Sequence, residues 1–146
     1  MARYSATVIS KLPAEAVYDY LADFRSAAEW DPSVSQATLV SADDPIRVGA
    51  RFRVTTKTRL SEVVLEYETI ELARPHAIVL RGENESMISL DTISIVDRPQ
   101  GGSAVTYTAD IELKGVRRIA DPLLALAFRR LGDRARDGLE TKLNAD

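Results

Sequence analysis

A chain of 146 residues, 45% hydrophobic and 28% charged, matches one globular domain running from end to end, residues 1–146, with enough apolar material for a sizeable core. A net charge of -3 and a pI near 5.3 argue against a phosphate-binding surface, and so against nucleic acid as a partner. With no cysteine there is no disulfide framework, thiolate metal site or thiol nucleophile.

In residues 3–10, RYSATVIS, Tyr4, Ala6 and Val8 fall on one face, the period of a half-buried strand. Pro13 then fits a first helical position, and Val17, Leu21 and Phe24 recur as a narrow apolar stripe. Ser26 and Glu29 have capping-box spacing, which predicts a second, very short helix carrying Trp30, the only tryptophan, and Pro32 ends it. Trp30 between charged neighbours reads either as a peg in the core or as the wall of a hollow.

From Val34 the pattern changes to strands at about 34–41, 50–59, 61–72, 77–84, 87–97 and 103–114. Turn residues in ADDP (42–45), ARPH (73–76) and RPQGG (98–102) separate them, and the short spacing implies antiparallel neighbours. Within 61–72, Val63, Leu65 and Tyr67 share one face and Ile70 and Leu72 the other, which requires a bulge or a swap in burial. The last segment is helical: Asp121 suits the N-cap, Pro122 the first position, and Leu124, Phe128, Leu131, Ala135 and Leu139 form one stripe. Arg129 and Asp133 have salt-bridging helical spacing, so the arginine-rich face reads as solvated.

The fold class is α+β, and geometry adds a constraint. Seven strands about 4.8 Å apart make a sheet roughly 30 Å wide, and long antiparallel strands twist and curl. One helical cylinder about 10 Å across does not fill such a trough. Bulky side chains or a ligand must occupy the rest.

The element order, with the signatures YDYLADFRSAAEWDPSV, VGARFRV, RGEN, DTISI and YTADIELKGVRRIADPLL, resembles the SRPBCC superfamily, most of all its polyketide cyclase/dehydrase and lipid transport group. The similarity covers essentially the whole chain. It implies the START-like helix-grip fold: a seven-stranded curled antiparallel sheet wrapped around a long C-terminal helix, with two short helices after the first strand. It also implies a ligand cavity between sheet and helix, with the helices near Trp30 at its mouth. No fixed catalytic set travels with that fold.

The residues expected to line the pocket are Trp30, Phe52, Leu65, Tyr67, Arg81, Asp91, Tyr107, Leu124 and Phe128. Asp91 shares a strand face with Ile93 and Ile95; if that face points inward, the carboxylate must find a donor or become neutral. Tyr107 is a donor if the registers align, and Arg81 is another if its face turns inward. The alternative leaves Asp91 exposed past the edge of the cavity. His76, the sole histidine, reads as a solvated turn residue, and no spaced ligand set for a metal and no cofactor fingerprint occurs. The isolated glycines and the Gly101-Gly102 pair read as turns.

The leading expectation is binding or carriage of a small hydrophobic ligand, such as a lipid, polyketide or isoprenoid-like compound, without cofactor. Its rival is a cyclase or dehydratase using Asp91 as acid/base and Tyr107 to stabilise an enolate. A third is a protein-partner or regulatory module. The start MARYSATVIS lacks a signal-peptide core and the apolar run LLALAF is far shorter than a membrane span, so a cytoplasmic location without integral membrane contact is expected.

Overall fold

The computed structural model describes residues 2–41, 46–59, 61–115 and 122–145, the last without the side chains of 122–125. Seven strands, β1 (Ala2–Ser10), β2 (Val34–Leu39), β3 (Arg51–Lys57), β4 (Glu62–Ala73), β5 (Ala77–Glu83), β6 (Met87–Asp97) and β7 (Ser103–Leu113), form one antiparallel sheet in the order β1-β7-β6-β5-β4-β3-β2. Helix α1 (Ala14–Ala22), a 3-10 turn (Phe24–Ser26) and α2 (Ala27–Trp30) join β1 to β2, and α3 (Pro122–Leu143) closes the described chain. This is the helix-grip arrangement, a curled sheet around a long C-terminal helix.

Paired positions point to the same side of a sheet, so the register defines the inner face. The row Ile78, Ile93, Tyr107, Ala6 and the row Ile95, Val105, Val8 both face the helices, and Ile78, Ile93, Ile95 and Val105 are fully buried there. The period in β4 breaks where expected, because its register with β5 shifts between Thr69 and Glu71. Ile70 is the extra residue and lies exposed, while Leu72 pairs with Ile78 and returns to the inner side.

Helix α1 buries Ala14, Val17, Tyr18 and Leu21 against β5, β6 and β7. It begins at Ala14, one residue later than the proline pattern predicts, and the Asp97 carboxylate on β6 accepts from the Ala14 N–H at 2.9 Å. A distant strand thereby caps it. The capping box at Ser26 does not form. Ser26 is already helical and its buried hydroxyl has no partner among the described residues, whereas Asp23 accepts from the Arg25 N–H and caps the turn one step earlier.

Helix α3 lies nearest to β1 and α2, and two glycines set how closely. A Cβ at Gly132 would stand 2.6 Å from the Tyr4 ring, and one at Gly138 would overlap the Trp30 carbonyl. Both serve close approach rather than turning, unlike the reading of the isolated glycines as turns; that reading holds for Gly49, Gly101, Gly102 and Gly115, which have positive φ. The C-terminal end of α3 is tied down by buried Leu139 and Leu143 and by the Ser10 hydroxyl, which donates to the Leu143 carbonyl at 2.8 Å. Asp133 takes its hydrogen bond from Tyr4, at 2.7 Å, and its nearest cation is Arg136 at 3.5 Å rather than the expected Arg129. Asp121, the expected N-cap, lies outside the described residues. No described helix is long and apolar enough to cross a membrane.

Candidate buried carboxylate site on the inner face

The inner face changes character along the strands. At the α1 end it is sealed core. Toward the opposite end Met87, Ala109, Ile111 and Leu113 point inward yet are only half-buried, opposite the half-buried Phe128 of α3, whose ring meets Tyr4 edge-on at 6.4 Å. An apolar strip is thus left partly uncovered on β6 and β7.

Asp91 stands where sealed core meets that strip. It pairs with Leu80 and Ala109, so it faces inward, and only 4% of its surface is exposed. Three hydroxyls converge on it. Ser89, two residues before it on the same face, donates to Oδ1 at 2.6 Å. Tyr107 donates to Oδ2; its backbone partner is Ile93, so the ring reaches Asp91 along the diagonal of the ladder. Tyr67 makes longer contacts of 3.5 and 3.4 Å with the two oxygens, and it does so from β4, across the whole of β5.

That reach depends on Gly82. Tyr67 pairs with Gly82 and Gly82 with Ser89, and a Cβ on Gly82 would lie 2.7 Å from the Tyr67 ring. The missing side chain is the space in which the ring lies.

Burial drives the Asp91 carboxyl up to about 6, although the hydroxyls of Ser89, Tyr107 and Tyr67 all favour its ionised form. The same burial, reinforced by the Asp91 charge, holds the phenols of Tyr67 and Tyr107 well above their ordinary range. A second carboxyl joins this field. Half-buried Asp31, just after α2, is raised by partial desolvation even though the Ser33 N–H and hydroxyl both donate to it, at 2.9 and 2.8 Å, and its charge reaches both tyrosines.

Trp30 is both peg and neighbour of the site. It is 5% exposed, its ring meets Tyr107 edge-on at 5.5 Å, and its buried Nε1 has no partner among the described residues. Phe24 packs on Tyr67 at 5.0 Å and on Phe52 at 6.2 Å. These rings fill the middle of the trough. Phe52 and Leu65, expected as pocket wall, point inward and are buried, and the half-buried part of the inner face includes Val63 on β4 and Tyr4 and Ala6 on β1 besides the β6–β7 strip.

Arg81 does not belong to the site. It pairs with Glu68 and Leu90 on the outer face and donates to Glu83 at 2.9 Å, because alternation puts inward Leu80 and Gly82 on either side of it. The side chain of Leu124 is outside the description. His76 is an exposed turn residue whose Nδ1 meets the Ile95 carbonyl oxygen at 2.9 Å. Among the described residues no group of three or more His, Asp or Glu could hold a metal ion. Two open grooves lie elsewhere, one of about 310 Å³ among charged side chains such as Arg51, Glu68 and Arg81 on the outer face, the other of about 590 Å³ between α2 and α3.

Ser89 and Gly82 were missed by the sequence reading, although both carried signals. Ser89 precedes Asp91 by two on the same face, and a glycine inside a strand marks close approach.

The family model for polyketide cyclase/dehydrase and lipid transport matches residues 1–144. Among solved structures the chain is similar to a START superfamily protein from Mycobacterium smegmatis, with a TM-score of 0.80 at 16% identity over 98% of this chain and 97% of that one. It is similar also to the Zhui aromatase/cyclase from Streptomyces sp. R1128, with a TM-score of 0.75 at 14% identity over 97% and 92%. One domain of BexL, a di-domain aromatase/cyclase of the BE-7585A biosynthetic pathway, aligns at 19% identity with a TM-score of 0.70, covering 99% of this chain and 50% of that one. No curated protein matches the chain at a significant level.

Proposed function

We propose, because this chain belongs to the polyketide cyclase/dehydrase and lipid transport family, that it binds a small, largely apolar molecule in the trough between sheet and α3. The observation that carries the reading is the half-buried strip of Met87, Ala109, Ile111 and Leu113, apolar and inward-facing, beside a buried carboxylate cluster. Covering such a strip with an apolar ligand gains about 25 cal/mol per Å² removed from water, and the polar cluster at its inner end fixes which way round the ligand lies. Solved aromatase/cyclases share this fold, which supports the reading.

Native mass spectrometry of the purified protein, together with uptake of the neutral dye Nile red, tests the proposal. Ligand adducts or dye uptake are expected, and Ile111→Lys should weaken uptake while leaving the circular dichroism spectrum intact. Absence of adducts and of uptake across an apolar panel would end it.

A second reading, a cyclase or dehydratase, draws on one observation: a carboxyl near 6 hydrogen-bonded to a tyrosine is matched to proton transfer near neutrality. In it Tyr107, the member of the cluster with exposed surface, takes a proton from the substrate as its own passes to Asp91. Unchanged turnover of an identified substrate by Asp91→Asn would dispose of that assignment.

A further inference from the structure

The hydrogen-bond polarity of the cluster decides what kind of polar group its ligand carries. Every hydroxyl around Asp91 is oriented as a donor toward that carboxylate: Ser89, Tyr107 and, more weakly, Tyr67. A hydroxyl whose single proton is committed keeps only its lone pairs for others. Ser89, Tyr67 and Asp91 itself are closed off from the trough, and Tyr107 is the member with exposed surface. Trp30 holds a donor without a partner beside it, yet that Nε1 has no exposed surface either. For a guest that reaches the exposed side of Tyr107, what the cluster offers is therefore an acceptor, the Tyr107 oxygen, made more electron-rich by the carboxylate it donates to. The charges of Asp91 and Asp31, both felt at Tyr107, add a negative field at the same point.

We propose that the ligand of the trough presents a hydrogen-bond donor, an alcohol or phenol hydroxyl, to Tyr107, and that the site discriminates against carboxylates and against ligands whose polar end only accepts. This rests on the trough being the binding site. It excludes free fatty acids and simple ketones as preferred guests and favours apolar molecules ending in a hydroxyl.

A chain-matched series separates the alternatives: 1-dodecanol and 2-dodecanone below their aqueous solubility limits and dodecanoate below its micelle concentration, displacing Nile red at about pH 8, where Asp91 is ionised. One hydrogen bond of ordinary strength corresponds to about ten-fold in affinity, so dodecanol should displace the dye at about one tenth of the concentration that dodecanone needs. Dodecanoate should be weaker still. In Tyr107→Phe, and in Asp91→Asn if it folds, the alcohol's advantage over the ketone should shrink below about three-fold. Equal binding of alcohol and ketone, or tighter binding of dodecanoate, overturns the proposal while leaving the trough as the binding site. Failure of all three to displace a bound dye, or failure of the dye to bind, removes the trough reading and this inference with it.

Discussion

Replacing Asp91 by Asn isolates the energetic consequence of burying this carboxylate. In the folded protein its carboxyl sits at about 6, against an ordinary value near 3.8 that the unfolded chain recovers. The folded state thus holds its proton more firmly than the unfolded state does. By linkage the associated stability is fully present below about pH 4 and is lost as pH rises toward about 6, after which the curve is flat. A rise of about two units corresponds to about 3 kcal/mol. Asparagine carries no such proton. Urea unfolding followed by Trp30 fluorescence, run on both proteins from about pH 4 to about pH 7.5, should therefore show the mutant gaining on the wild type by about 2–3 kcal/mol across that interval. Packing changes in the mutant do not depend on pH, and the lowered carboxyls of Asp19, Asp23 and Glu83 are common to both proteins, so neither contributes to the pH dependence of the difference. A difference constant to about 0.5 kcal/mol over the interval would mean that the hydroxyls fully replace water around the carboxylate, and the argument from desolvation would fail.

Gly82→Ala places a methyl 2.7 Å from the Tyr67 ring and should destabilise by about 1–3 kcal/mol in urea; an unchanged midpoint would show that Tyr67 does not need that space. All five tyrosines are raised, Tyr4 to about 12 and the rest upward from 10, mainly by burial. An alkaline titration by ultraviolet absorbance should accordingly show no tyrosinate near pH 10 until the protein unfolds, and an early step worth one or more phenols would contradict the packing described. Ser10→Ala removes the hydroxyl that donates to the Leu143 carbonyl and accepts from the Leu12 N–H at 3.0 Å, which should cost about 1–3 kcal/mol and free the end of α3 for faster amide exchange. Exchange at Leu139 to Leu143 unchanged from wild type would refute that anchoring role.

Most strand positions were legible because period-2 alternation is a local property of the chain: inward Ile93 and Ile95 and the bulge near Ile70 follow from which neighbours are apolar. Alternation put Asp91 on one face with Ile93 and Ile95 but left open whether it is buried there or exposed past the edge, and the structure buries it. Arg81 was not legible, since whether its strand face turned inward depended on where Leu80 and Gly82 pair, and pairing is a relation between distant segments. The capping box at Ser26 failed for a related reason: its spacing was correct, but Asp23 closed the preceding turn and Ser26 went into the core.

By itself, then, the sequence determined the order of elements, the curled sheet with its terminal helix and the sharing of one strand face by Asp91, Ile93 and Ile95, since each of these rests on periodicity, turn chemistry or similarity carried along the chain. Tertiary structure alone decided that Tyr67 spans a strand over Gly82, that Tyr107 reaches Asp91 diagonally, and that the aromatic rings fill the centre of the trough while the β6–β7 strip stays half-covered. Those outcomes depend on three strands meeting in a single register. A shift of one residue in any of them would turn the same side chains to opposite faces.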